Sequence, residues 1–230
     1  MDRCVHRSAG MRIRFLLTSG FTFLFLGGQP ALAQPVAIGV EGGILTTGDV
    51  SGTLMPESKR YIVGPKLEVR LPWHLSVEVD ALYRRVGFLG YINSCCANSV
   101  TGERDNSWEF PMIVKYRFPR GPKLHPFAGV GYAPRIVSGN DISSGSYLSN
   151  FDTGAITYYS NVHRSVSYPV TRGLVVSGGV ELGARHVIIS PELRYVHWSQ
   201  PFLNSEGGDG SFRYASSQDE LFVLVGIAWH

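Results

Sequence analysis

The pair of residues in this chain best suited to covalent chemistry is His197 and Ser199, two positions apart. On an extended strand, residues i and i+2 share a side, which lets an imidazole take the proton that makes a serine hydroxyl nucleophilic. The ring of such a base needs a carboxylate to orient it, and Glu206, Asp209 and Asp219 follow as candidates for that third place. The plainer reading of His197 and Ser199 is a polar cap at the end of a strand. Other reactive types offer less. Cys95 and Cys96 are adjacent, a spacing at odds with the Cα separation of about 4.4–6.8 Å that disulfides favour, and two thiolates without nearby histidines make no zinc set. They read as a loop feature. His6, His74, His125, His163, His186 and His230 are scattered without metal-ligand spacing. Gly129-Val130-Gly131 precedes no helix and so packs a strand rather than cradling a nucleotide. Neither a metal nor a cofactor is expected.

The elements that must position these residues begin after a leader. Arg12 and Arg14 precede the apolar run Phe15 to Leu26, and Ala31-Leu32-Ala33 supplies a small-residue cleavage pattern. The run contains Thr18, Ser19, Gly20 and Thr22 and falls short of the ~20 apolar residues a spanning helix requires. Residues 1–33 are therefore expected to be a signal peptide, and residues 34–230 one domain. The formal charge of +3 is carried by the leader, where Arg3, Arg7, Arg12 and Arg14 face Asp2 alone. The remainder is near neutral, with no basic stripe to neutralise phosphates, so nucleic acid is not an expected partner.

Within the domain, apolar and polar residues alternate with period two in segments of about ten residues, the length of a tilted membrane strand. Tyr61, Val63, Pro65, Leu67, Val69 and Leu71 form one row, and Ile62, Gly64, Lys66, Glu68 and Arg70 the other. The next segment sets Trp73, Leu75, Val77, Val79, Ala81 and Tyr83 against His74, Ser76, Glu78, Asp80, Leu82 and Arg84. A further one sets Trp108, Phe110, Met112, Val114, Tyr116 and Phe118 against Glu109, Pro111, Ile113, Lys115 and Arg117. Segments at Val36 to Leu45, Pro126 to Arg135, Gly173 to Gly183, His186 to Trp198 and Glu220 to His230 complete an expected set of eight strands. Helices would scatter these rows around their axes. Tight turns at Leu71-Pro72-Trp73, Pro119 to Leu124 and Ala184-Arg185 alternate with long polar connections at Thr46 to Lys59, Gly87 to Asn106, Ser138 to Arg172 and Ser199 to Asp219. Short turns at one end and long loops at the other are the pattern of transmembrane barrels. Pro65, Pro111 and Pro191 cannot donate to a ladder and are expected at bulges or early strand positions.

Alternation alone leaves the inward face undecided, since a soluble barrel puts its apolar row inside. Three features favour a membrane. The polar row is rich in glycine, as the narrow interior of an eight-stranded barrel requires. Aromatic residues sort into two bands, with Tyr61, Tyr83, Trp108, Tyr132 and Tyr195 toward the long loops and Trp73, Tyr116, Phe118 and Trp229 toward the tight turns. The polar row also balances Glu41, Glu68, Glu78, Asp80, Glu109, Glu181 and Glu192 against Lys66, Arg70, Arg84, Lys115, Arg117 and Arg194. That balance predicts a salt-bridge network plugging the lumen.

The opening VAIGVEGGIL, the segments GPKLEVRLP, WEFPMIVKYRF, HPFAGVGY and SPELRYVHW, and the closing LFVLVGIAWH together resemble the small outer-membrane protein β-barrel domain family of OmpA and OmpX type, particularly its single-domain bacterial members. The closing strand looks like a barrel-assembly signal, with Gly226 three residues before Trp229, although His230 rather than an aromatic residue ends it. His197-Trp198-Ser199 is also similar to the His-x-Ser pair of outer-membrane lipid A deacylases, with Gln200-Pro201 where Asn-Ala would follow. The resemblance implies an all-β, eight-stranded antiparallel up-and-down transmembrane β-barrel in the bacterial outer membrane. Its expected role is non-enzymatic: a surface protein displaying four extracellular loops for adhesion, recognition or envelope stability. Its expected partners are the lipid bilayer and an extracellular molecule met by the loops. The alternatives are a lipid A deacylase-like hydrolase using His197 and Ser199, and a soluble lipocalin-like ligand-carrying barrel.

Overall fold

The computed structural model describes residues 36–48, 50–51, 55–56, 58–93, 97–119, 124–149, 156–163, 169–184, 186–202, 204–206 and 213–229. Residues 1–33, expected to be a signal peptide, and Cys95, Cys96, Asp209 and His230 lie outside them. The described elements are all strands: β1 (Val36–Leu45), β2 (Val50–Ser51), β3 (Met55–Pro56), β4 (Tyr61–Arg70), β5 (Leu75–Asp80), β6 (Leu82–Asn93), β7 (Ala97–Glu109), β8 (Met112–Arg117), β9 (Leu124–Ser149), β10 (Ile156–His163), β11 (Val170–Ala184), β12 (Val187–Trp198), β13 (Asn204–Glu206), β14 (Arg213–Ser216) and β15 (Asp219–Trp229).

Antiparallel pairing runs β1, β4, β5, β8, β9, β11, β12, β15, and β15 pairs back with β1 from Ile38↔Trp229 to Leu45↔Phe222, closing the sheet. β6 continues the stave of β5 beyond Ala81, and β7 continues that of β8 beyond Phe110-Pro111. The result is a closed antiparallel barrel of eight staves.

Prolines account for three of its irregularities, and a further register shift lies between Glu103 and Asp105 of β7. Pro111 sits in the break between β7 and β8. Pro65 lies inside β4, and the neighbouring stave breaks opposite it at Ala81, whose N–H donates to the Pro65 carbonyl at 3.0 Å. Pro191 lies inside β12, where the β11–β12 ladder passes from Gly179↔Glu192 to Leu182↔Ile189 without the rungs between; a residue without an N–H leaves that gap.

The apolar row faces out. Leu67, Val79 and Val114 are 40%, 40% and 49% exposed, while Lys66, Glu78 and Lys115 are 2%, 0% and 0% exposed. A soluble carrier barrel requires the reverse, so that alternative falls. An outer surface of Ile, Leu, Val and aromatic side chains around a charged interior is the polarity of a transmembrane barrel.

At one end, Trp73 and His74 form a two-residue turn with φ of 61° and 64°, closed by the Leu75 N–H on the Pro72 carbonyl at 3.4 Å. Two positive φ values mark a type I′ turn, which Asn and Gly adopt readily and Trp and His do not. Trp73 is 84% exposed, and His74 lies 6.4 Å from the ring of Tyr116, which meets that of Phe118 edge-on at 5.0 Å.

At the other end the strands run past the apolar band. β6 and β7 remain paired as far as Asn93↔Asn98, and β9 pairs with β7 up to Ala97↔Leu148 and with β10 from Ile142↔His163 to Ser149↔Ile156. Much of what the sequence marks as long loop is thus paired strand. Alternation fails to announce it because the sequence there sets no continuous apolar row against a polar one. β13, β14 and β2 form a separate small sheet.

Candidate functional site

The barrel interior and the outer end of β12 hold the side chains capable of chemistry. Inward positions of every stave contribute to the interior in layers. In the middle layer Lys66 comes from β4, Glu78 and Asp80 from β5, Lys115 from β8, Glu192 and Arg194 from β12, and Glu41 from β1. Lys115 Nζ lies 2.6 Å from Glu78 and 2.8 Å from Glu192. Lys66 Nζ lies 2.5 Å from Glu78 and 3.4 Å from Glu41. The Arg194 guanidinium reaches Glu192 at 2.7 Å, Asp80 at 2.8 Å, Glu78 at 2.9 Å and Glu41 at 3.2 Å.

Carboxylate oxygens of Glu41, Glu78 and Glu192 come within 4.8 Å of one another, a spacing a metal ion could bridge. The two ammonium groups and the guanidinium already neutralise them, so the donor set is that of an ion-pair cluster. Glycine makes room for it: a Cβ on Gly226 would lie 3.1 Å from Lys66 Nζ, and one on Gly129 would lie 2.8 Å from both Ile113 and Ser177.

Toward the tight turns, Arg70 and Arg117 approach Glu181 at 3.9 and 3.7 Å, with Glu68 buried nearby in β4. Toward the long loops, a collar of Ile62, Leu82, Ile113, Ala133, Val175, Val196, Phe222 and Leu224 is buried inside the barrel. Although the row is polar overall, these positions are apolar, and the collar packs closely. A void of about 10 Å³ bounded by Ile62, Pro111, Val196 and Phe222 holds at most a single water.

A second ionic layer adjoins the collar at the outer end, and its hub is Glu220, which the sequence rows did not single out. Glu220 accepts from Arg84 at 2.5 Å, from Arg135 at 3.1 Å and from the Trp198 indole at 2.8 Å. Arg84 also lies 3.2 Å from Glu109. Arg135 donates to Thr171 at 3.0 Å and stacks 3.8 Å from the Trp198 ring and 4.9 Å from that of Phe202. Asp105 is buried on the same inward side of β7. Arg135, Glu220 and Asp105 are the interior charges that sequence reasoning missed. Arg135 and Glu220 sit at the very ends of alternating segments, and Asp105 lies in a stretch read as loop.

On the outward side of the same rim, His197 and Asp219 stand opposite each other in the β12–β15 ladder, with Nδ1 2.7 Å from Oδ1. The Tyr195 hydroxyl donates to the same oxygen at 2.5 Å. Of the candidate carboxylates among the described residues, Asp219 is therefore the one that meets His197. Glu206 lies in β13. Ser199 is exposed; its backbone N–H donates to the Arg172 carbonyl at 2.7 Å, and among the described residues no hydrogen bond joins its hydroxyl to His197. One strand step away, Trp198 points inward to Glu220, so β12 and β15 are tied on both faces at this height.

His74 occupies the tight turn, and His125 and His186 lie near the same end of the barrel.

No family model matches the chain, and no curated protein matches it. Solved structures do. Neisserial surface protein A is 11% identical over 84% of this chain and 96% of that one, with a TM-score of 0.45. The N-terminal β-barrel domain of Pseudomonas aeruginosa OprF is 10% identical over 84% and 96%, with a TM-score of 0.36. The attachment invasion locus protein Ail of Yersinia pestis, solved with the heparin analogue sucrose octasulfate, is 10% identical over 84% and 99%, with a TM-score of 0.32.

Proposed function

We propose that this chain is exported by residues 1–33 and resides in the bacterial outer membrane as a non-enzymatic barrel with a plugged lumen, presenting its four long connections to the cell exterior for adhesion, recognition or envelope stability. The observation that carries this reading is the inverted polarity: apolar side chains cover the outside, and ion pairs fill the inside. A surface of that kind is stable in a bilayer and costly in water. The interior supports a closed rather than conducting barrel, because Lys66, Lys115 and Arg194 each touch at least two carboxylates across the axis. An ion passing through would have to part these pairs in a low-dielectric space.

Two measurements test the reading. The outer-membrane fraction should contain a band whose gel migration changes on boiling, as a folded barrel resisting SDS gives. Purified protein in planar bilayers should show no nanosiemens conductance. A soluble protein with no heat-dependent migration refutes the location, and steady large conductance refutes the plug.

The His197–Asp219 contact favours a second reading, a lipid A deacylase-like hydrolase with Ser199 as nucleophile and Asp219 orienting the base. The absent Ser199–His197 hydrogen bond places it behind the first. Mass spectrometry of lipid A from cells carrying the wild type, the Ser199→Ala variant or neither decides it: loss of an acyl chain only with the wild type establishes the hydrolase, and identical lipid A in all three dismisses it.

A further inference from the structure

Between the apolar collar and the tight turns, the described interior carries one carboxylate more than it has lysines and arginines. Glu41, Glu68, Glu78, Asp80, Glu181 and Glu192 face Lys66, Arg70, Lys115, Arg117 and Arg194. Each of these cations contacts a carboxylate, and each carboxylate but one contacts a cation. The exception is Glu68. It is 4% exposed, yet among the described residues no hydrogen bond or ion pair reaches it, and its Oε1 is buried without a partner. Its cross-strand neighbour in the β4–β5 ladder is a second carboxylate, Glu78, and the next rung sets Arg70 against Ser76. Ser76 is fully buried, and its hydroxyl also lacks a partner among the described residues. From the far wall comes Glu181 of β11, with Oε1 likewise buried and unpartnered. Its Oε2 comes no closer than 3.7 Å to Arg117 and 3.9 Å to Arg70, too far for hydrogen bonds. Glu181 feels the charge of Glu68 more strongly than that of either arginine, so the two carboxylates confront each other across the lumen. His125, opposite Glu181 in the β9–β11 ladder, is half-buried at the same end. Arg70 and Arg117 stand one strand step nearer the tight turns, with side chains 21% and 14% exposed, so small solutes reach the group from that mouth.

Unpartnered oxygens from β4, β5 and β11 make an all-oxygen donor set, the kind that hard cations take. A water molecule satisfies the hydroxyl but leaves the surplus charge in place, and an uncompensated charge in a buried interior is heavily penalised. A divalent ion overshoots, leaving these layers positive beside two guanidinium groups. One charge is missing, and a singly charged ion supplies it. We propose that Glu68, Glu181 and Ser76 bind one small monovalent cation of the sodium class, which enters from the tight-turn mouth and neutralises the surplus carboxylate. The donors come from three staves, so no ligand spacing along the chain announces them. The site goes beyond the surface role proposed above and adds a bound ion to the plug.

Urea unfolding of the full chain in vesicles of zwitterionic lipid is followed in sodium chloride and in choline chloride at equal ionic strength. The buffer is held at about pH 8, above the range where imidazoles ordinarily carry charge. The wild type should unfold at a higher urea concentration in sodium, with a midpoint that climbs with the logarithm of the sodium concentration, and the protein should broaden the sodium NMR resonance. Glu68→Gln removes the surplus charge and should unfold at the same urea concentration in both salts. Ser76→Ala keeps the charge and should need on the order of tenfold more sodium to reach the same midpoint. A wild type indifferent to sodium overturns the site, because a proton or water then suffices at Glu68. Undiminished sodium dependence in Glu68→Gln overturns it as well. Calcium chloride raising the midpoint at far lower concentration than sodium overturns the monovalent assignment. If Glu68→Gln does not fold, Ser76→Ala and the sodium resonance of the wild type decide the matter.

Discussion

In the middle of the barrel Arg194 is the hub and touches four carboxylates, whereas at the outer end the hub is a carboxylate, Glu220, whose partner Arg135 also lies against two aromatic rings. Both clusters are buried, but they respond differently to damage. Removing the middle hub strands several negative charges together. Removing Arg135 leaves Glu220 with Arg84 and the Trp198 indole. What matters is the number of like charges left facing one another, more than the number of ion pairs counted beforehand.

Graded substitutions can break or sharpen that contrast. Arg194→Met should have the largest effect, about 3–5 kcal/mol of lost stability, because a buried charge cluster deprived of a partner carries an uncompensated penalty; urea unfolding in lipid vesicles followed by tryptophan fluorescence measures it. Arg135→Met should cost about 2–3 kcal/mol in the same assay, near the upper value for a charged hydrogen bond. A loss at Arg135 equal to that at Arg194 would erase the distinction between the layers. Gly226→Ala should follow at about 1–2 kcal/mol, from crowding against Ser190 and Lys66; a Lys66→Met background should reduce that penalty if Lys66 is what the methyl group meets. The smallest effect is expected at the exposed rim, where Asp219→Asn should leave the unfolding midpoint unchanged, since solvent screens such contacts.

The sequence made the apolar-banded half of the barrel legible wherever one face of a strand had to be greasy and the other not. The rows around Lys66, Glu78 and Lys115 could be sorted by alternation, because a slip of one residue would have exchanged every charged position with an apolar one, and the glycines, aromatic bands and charge balance then gave their direction. Three things stayed hidden. The inward collar of Ile62, Leu82 and Ile113 sits on the polar row, so parity gives its direction but not its packing. The extensions of β6, β7, β9 and β10 lack the contrast that drives alternation. The choice of Asp219 as the neighbour of His197 depends on how β12 and β15 align, which the polar stretch between them does not encode.

The Trp73-His74 turn carries a last consequence. Left-handed backbone costs non-glycine residues roughly 1–2 kcal/mol each, so this corner cannot act as a spring that draws its two arms together. The arms hold the corner: the rungs from Lys66↔Asp80 to Arg70↔Ser76 impose the bend on residues that would not choose it. A bulky indole then occupies a place where asparagine and glycine would be more comfortable, and the barrel gains a projecting ring at its short-turn end at the expense of an easier bend.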